Sequence, residues 1–177
     1  EDQLHDLKLS YRYVHQPEEN STHAVSLALI QGLNMAGSKV VDVQNGNGIG
    51  RPDFRKLTLD YEYLRVFKRR WEALVQLDGQ YAADALPSSE RYSLGGAGFG
   101  RAYDPSEITG DHGLAGRAEL DYLYTNAAAT RQLSPYAFYD LGKVWQVKPE
   151  VTGDQAALAS AGLGVRVTAA GVSAYLE

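Results

Sequence analysis

Apolar and polar residues alternate along most of this chain with a period of two. From Leu7 the order is Leu7, Lys8, Leu9, Ser10, Tyr11, Arg12, Tyr13, and from Leu57 it is Leu57, Thr58, Leu59, Asp60, Tyr61, Glu62, Tyr63. Trp71, Ala73, Val75 and Leu77 interleave with Glu72, Gln76 and Asp78. Leu114, Gly116, Ala118, Leu120, Tyr122 and Tyr124 interleave with Arg117, Glu119 and Asp121. Successive side chains of a strand point to opposite faces, so each stretch has one apolar and one charged face. A helical period is hard to find. The pattern predicts strands over 4–15, 23–34, 54–67, 71–82, 112–125, 134–146 and 155–168, with another starting over 171–177. Most run about 12–14 residues. A globular strand averages about 5–6, and a tilted membrane-spanning strand needs about 9–11.

The connections alternate in size. Segments 16–22, 68–70, 126–133 and 169–170 are short, whereas 35–53, 83–111 and 147–154 are mostly longer. Short turns at one end and long loops at the other are the pattern of an outer-membrane barrel. Pro17, Pro52, Pro87, Pro105 and Pro149 lie in connections, and Pro135 sits at a strand start, where a missing N–H is tolerated. Tyr11/Tyr13, Tyr61/Tyr63 and Tyr122/Tyr124 are Tyr-x-Tyr pairs on the apolar parity, each near a short turn. Interface aromatics of a membrane barrel give this arrangement, and so does cross-strand aromatic packing in a soluble sheet.

The other parity carries Lys8, Arg12, Lys56, Asp60, Glu62, Glu72, Asp78, Arg117, Glu119, Asp121 and Arg166. These charges are too many for a dry core, so they face either bulk water or a wide aqueous lumen. The 177 residues, 44% hydrophobic and 22% charged, suit one folded domain. No apolar run is long enough for a transmembrane helix, which leaves a strand-built span open. A net charge of −5 and a pI near 5.4 argue against a nucleic-acid partner. The absence of cysteine excludes disulfides, thiol catalysis and cysteine metal sites. His5, His15, His23 and His112 lie apart without metal-ligand spacing and are expected in solvated turns and loops. Asp111 and His112 have no nucleophile elbow or His-Glu-x-x-His helix beside them. No catalytic residue, metal or cofactor is expected.

The longest glycine-rich stretch, GGAGFGRAYDPSEITGDHG, runs from Gly95 to Gly113 between two strong strands. It lacks the Gly-Lys-Ser/Thr ending and following helix of a phosphate cradle, and its acids are misspaced for a calcium loop. The run RYSLGGAGFGRAYDPSEITGDHGLAGRAEL resembles the signature of two-partner secretion transporters, the hemolysin-activator and filamentous-hemagglutinin transporter group. That pattern is Gly-Gly, then Val-Arg-Gly-Phe/Tyr, then Gly-Asp-x-Gly, then a strand with an inward glutamate. Here these are Gly95-Gly96, Gly100-Arg101-Ala102-Tyr103, Gly110-Asp111-His112-Gly113 and Glu119. Gly100 and Ala102 depart from the family's valine and glycine. PYAFYDLGKVW carries Phe138-x-Asp140-x-Gly142, similar to the family's Phe-x-Asp-x-Gly strand motif.

The resemblance implies an all-β fold: an antiparallel transmembrane β-barrel of about sixteen strands, of which this chain holds about eight. Residues 1–177 are then expected to be the C-terminal part of the barrel, with periplasmic domains before Glu1 and the final strand beyond Glu177. It implies that loop 83–111 folds into the lumen, where Arg101 meets Asp140, Tyr103 packs at the tip, and Glu119 and Arg117 line the wall. The residues alone leave open an exposed loop arginine and an aspartate in a turn. The implied function is export of a secreted exoprotein cargo through the bacterial outer membrane, in contact with its lipid. The tyrosine pairs then fall at the periplasmic boundary. An anchor barrel for an autotransported, patatin-like enzyme, a barrel-assembly insertase and a soluble ligand-binding barrel are the alternatives.

Overall fold

A computed structural model describes residues 4–35, 50–125, 131–147, 155–169 and 172–176. The alternating stretches form β1 (His5–Glu18), β2 (Ser21–Leu33), β3 (Arg55–Phe67) and β4 (Trp71–Ala82). Two short strands follow, β5 (Tyr92–Leu94) and β6 (Ile108–Gly110), and then β7 (His112–Tyr122) and β8 (Tyr124–Thr125). The chain continues through β9 (Arg131–Trp145), β10 (Gln155–Ala169) and β11 (Val172–Leu176). One antiparallel sheet runs in the order β1-β2-β3-β4-β7-β9-β10-β11, with β8 beside β9. The fold is all-β, and among the described residues the only helical turn is the short 3-10 segment Ser88–Glu90.

The sequence pattern places the main strands correctly and their ends within a few residues. Strand β9 starts at Arg131 rather than at 134, so Pro135 lies inside it. The register explains how: Asp121 pairs Tyr136 and Tyr124 pairs Leu133, so the break at Leu123 falls next to the position facing the proline, and the Leu123 N–H turns to the Arg70 carbonyl instead. The connections 35–53, 126–133 and 147–154 lie largely outside the described residues.

Alternation sorts the side chains as expected of a sheet, but the burial is inverted relative to a soluble protein. The apolar parity is exposed: Leu9 is 73% and Leu163 77% accessible, with Leu29, Leu59, Leu114 and Leu141 also exposed. The charged parity is buried around Asp140, which is 0% accessible. Strands β1, β3 and β7 run in the same direction, so the three tyrosine pairs point toward the same set of short turns. Tyr11, Tyr13 and Tyr124 are exposed. The Tyr61 hydroxyl lies 2.9 Å from His23 Nδ1, Tyr63 stacks on His23 at 4.6 Å, and Tyr122 packs edge-on against Trp71 at 5.0 Å. At the opposite rim, His112 stacks on Trp145 at 5.4 Å and meets the tilted ring of Tyr81 at 5.0 Å.

Two histidines correct the expectation of solvated turns and loops. His23 is half-buried inside β2, stacked on Tyr63. His112 is buried, and its Nδ1 accepts the Ala82 N–H at 3.2 Å. Rings packed on both sides remove His112 from water, and the backbone donor satisfies the nitrogen that burial would otherwise leave unpaired.

Candidate functional site

The connection from β4 to β7 folds back over the charged face of the sheet. Strands β5 and β6 pair through Tyr92–Gly110, Ser93–Thr109 and Leu94–Ile108, making a stem that the sequence pattern did not reveal. Leu94 is buried among Tyr92, Ala115, Val144 and Leu158, and Phe99 and Ile108 pack on this cluster. Glycines in the wall make room for it. A Cβ on Gly142 would stand 2.5 Å from Leu94 Cδ1, and one on Gly113 would overlap the Tyr92 ring. At the base, Asp111 receives the Leu86 N–H on Oδ1 at 2.9 Å and the Val147 N–H on Oδ2 at 3.1 Å, joining two connections. Lys56 closes the other side, with Nζ 2.9 Å from Glu90 Oε2.

The tip turns at Gly95, Gly96 and Gly100, whose φ angles of 113°, 79° and 92° lie in the region that favours glycine. Gly100 at positive φ aims its own N–H and that of Arg101 at one carboxylate: Asp140 Oδ2 accepts them at 3.2 and 3.3 Å. The Arg101 side chain reaches the same group, Nε to Oδ2 at 3.2 Å and Nη2 to Oδ1 at 3.3 Å. Its Nη1 donates to Glu119 Oε2 at 2.8 Å. The guanidinium lies over the Phe138 ring at 3.5 Å from its centroid, a stacking that also shields it from water. Burial disfavours the charged form of Arg101, yet Asp140 and Glu119 outweigh this and hold its pKa above the ordinary value.

The wall beneath is set by register. Arg117 pairs directly across from Asp140, Glu119 from Phe138 and Asp121 from Tyr136. On the next strand Gly162 lies opposite Phe138 and Gly164 opposite Tyr136, so the rings lean over residues without side chains. Arg117 Nε donates to Asp140 Oδ1 at 2.8 Å and Nη2 to Oδ2 at 3.2 Å. The same Nη2 holds the loop tip through the carbonyls of Ala97, at 3.2 Å, and Gly98. Arg166 joins Glu119 at 2.6 Å and Asp121 at 2.5 Å, and stacks on Tyr136 at 3.9 Å. Three guanidiniums thus face three carboxylates, and the network is formally neutral. Charge-assisted, forked hydrogen bonds of this kind are the strong ones, and neutrality is what makes their burial tolerable.

The family profile of haemolysin secretion/activation proteins ShlB/FhaC/HecB matches residues 1–167. The chain belongs to that family. Among solved structures, CdiB from Escherichia coli is similar in fold, with a TM-score of 0.78 at 21% identity. The match covers 96% of this chain and 31% of that one, so the chain spans less than a third of that protein's length. No curated protein sequence matches. The two motifs by which the chain resembles two-partner secretion transporters both lie inside the family match, and the fold brings them together at Arg101 and Asp140.

Tyr103 does not join the arginine cluster; its hydroxyl donates to the Ala159 carbonyl of β10 at 3.2 Å. Ala102 is exposed in the turn. Glu119 sits between Arg101 and Arg166. Sequence reasoning missed the grip of Arg117 on the tip carbonyls and the part of Arg166. Their inward parity was legible; their partners were not. Beside the tip a cleft of about 490 Å³ touches Arg12, Ser26, Asp60, Asp78, Gly98 and Arg117. Among the described residues no group of three or more His, Asp or Glu side chains is arranged to hold a metal ion.

Proposed function

We propose that this chain is part of an outer-membrane β-barrel that exports a partner exoprotein through its pore without nucleotide hydrolysis, and that loop 83–111 is latched inside that pore. The observation carrying this reading is the inverted sheet, with leucines exposed on one face and a neutral arginine–carboxylate network buried on the other beneath the loop. A soluble ligand-binding barrel would place these faces the other way round.

The aromatic rows support the membrane part of the reading. Trp71 and Tyr81 stand ten residues apart on β4, as do His112 and Tyr122 on β7. Ten residues of strand span about 34 Å. Tilted by about 45°, they rise about 24 Å, close to the roughly 25 Å apolar band of an outer-membrane barrel. Family membership supports the export part.

The latch is Arg101 on Asp140, with Glu119 and Phe138 completing its seat. Substituting Arg101→Ala in the full-length protein is expected to leave it in the outer membrane at normal abundance while export of the partner stops. Normal export at equal membrane abundance would overturn the role of the latch.

A further inference from the structure

We propose that the turn between β3 and β4, together with the apolar groove beside it, forms a site for one anionic phospholipid. The turn is Lys68-Arg69-Arg70, three consecutive cations, all exposed. Positive φ at Lys68 and Arg69 (50° and 61°) folds it tightly, which concentrates the charges at one point of the rim. Neither Lys68 nor Arg69 has an acidic partner among the described residues. At the end of β1, Glu18 is taken by Arg65 at 3.3 Å. Arg70 is not free to swing away, because its Nη1 donates to the Tyr122 hydroxyl at 3.0 Å.

Immediately below lies a groove of about 840 Å³ on the apolar face. Register shows why it exists. Trp71 pairs Tyr122, and their edge-on contact raises one wall. Val165 pairs Pro135 and Leu163 pairs Ala137. The large residues Leu163 and Val165 form the other wall, and the small Pro135 and Ala137 are the floor. The trough crosses β9 over Pro135 and Ala137, about 7 Å of strand, and is apolar along both walls.

The occupant is fixed by this combination. A trough of hydrocarbon character takes an acyl chain, the indole and phenol rings suit the depth of the headgroups, and the clustered cations take a phosphate. A soluble phosphate would satisfy the turn alone and leave the groove unfilled; a lipid satisfies both. The site rests on the membrane reading above, because only then does the apolar face meet acyl chains.

The test uses full-length protein released in mild detergent from vesicles of phosphatidylglycerol and phosphatidylethanolamine, with retained lipids counted by native mass spectrometry. The wild type is expected to keep phosphatidylglycerol. Each cation beside an anionic headgroup contributes about fivefold, so the combined substitution Lys68→Gln, Arg69→Gln, Arg70→Gln is expected to lower retention by about 100-fold. Ala137→Trp, which fills the floor while leaving every charge, is expected to displace the lipid as well. If the protein is membrane-embedded and both variants retain phosphatidylglycerol like the wild type, the lipid site is overturned and the membrane reading stands. Recovery of the full-length protein in solution without detergent would overturn both.

Discussion

The two ends of the sheet carry the same alternation and have opposite fates. Strand β1 is exposed at every position, on its polar parity as well as its apolar one. On β9 the polar parity is buried: Ser134, Tyr136, Asp140 and Val144 are all nearly inaccessible, while Tyr139 and Leu141 between them are exposed. Residue types do not make this difference, although β1 is the edge of the sheet and β9 lies between two neighbours. Lys8 and Arg12 are as polar as Arg117 and Glu119. What differs besides is the loop, which covers β7, β9 and β10 and leaves β1 bare. The charges buried around Asp140 lie under the loop or, like Asp121, under Arg166, and each has an opposite charge in reach.

Breaking the covered region at its centre should have the largest effect. Asp140→Ala removes the acceptor shared by Gly100, Arg101 and Arg117, leaving Arg117 without a carboxylate and Arg101 with Glu119 alone. One uncompensated buried charge costs about 3–5 kcal/mol, so the denaturation midpoint of the refolded full-length protein should fall steeply and the loop should become protease-sensitive. A loop still protected in this variant would show that the carboxylate does not hold it.

Arg101→Ala should cost less, about 1.5–3 kcal/mol, the range for hydrogen bonds to charged groups. The reason is the wall: Asp140 keeps Arg117 and Glu119 keeps Arg166. Equal losses for Arg101→Ala and Asp140→Ala would contradict that redundancy. Arg101→Lys should restore little, because one ammonium cannot replace a fork stacked on Phe138.

Gly142→Ala tests the apolar part of the cover. The added methyl meets Leu94, and such overpacking costs about 1–2 kcal/mol, read as loop protection lost with the ionic cluster intact. At the uncovered end, Lys8→Ala should shift stability by no more than about 0.5 kcal/mol, as for an exposed position without partners. A drop comparable to that of Gly142→Ala would mean that β1 carries contacts which the sheet order does not give it.

Much of this was legible beforehand. The strands, their two faces and the ends bearing short turns follow from alternation and turn residues. The meeting of Arg101 with Asp140 was implied by a resemblance in two motifs, not by any pattern in the residues. Less visible were the β5–β6 stem, too short to show a period, and the burial of His112, which depends on rings from Tyr81 and Trp145. Nor was it visible that Tyr103, within the tip turn, would reach the β10 backbone with its hydroxyl.

Alternation is written within two residues of chain, so sequence alone determined that this protein is a sheet with one apolar and one charged face. Which charges are buried, and that Arg117 shares Asp140 with Arg101 while Arg166 shares Glu119, only the tertiary structure decided. Those partnerships depend on the registers among β7, β9 and β10 and on the path of one loop, and each register is a long-range match that no local stretch of residues contains.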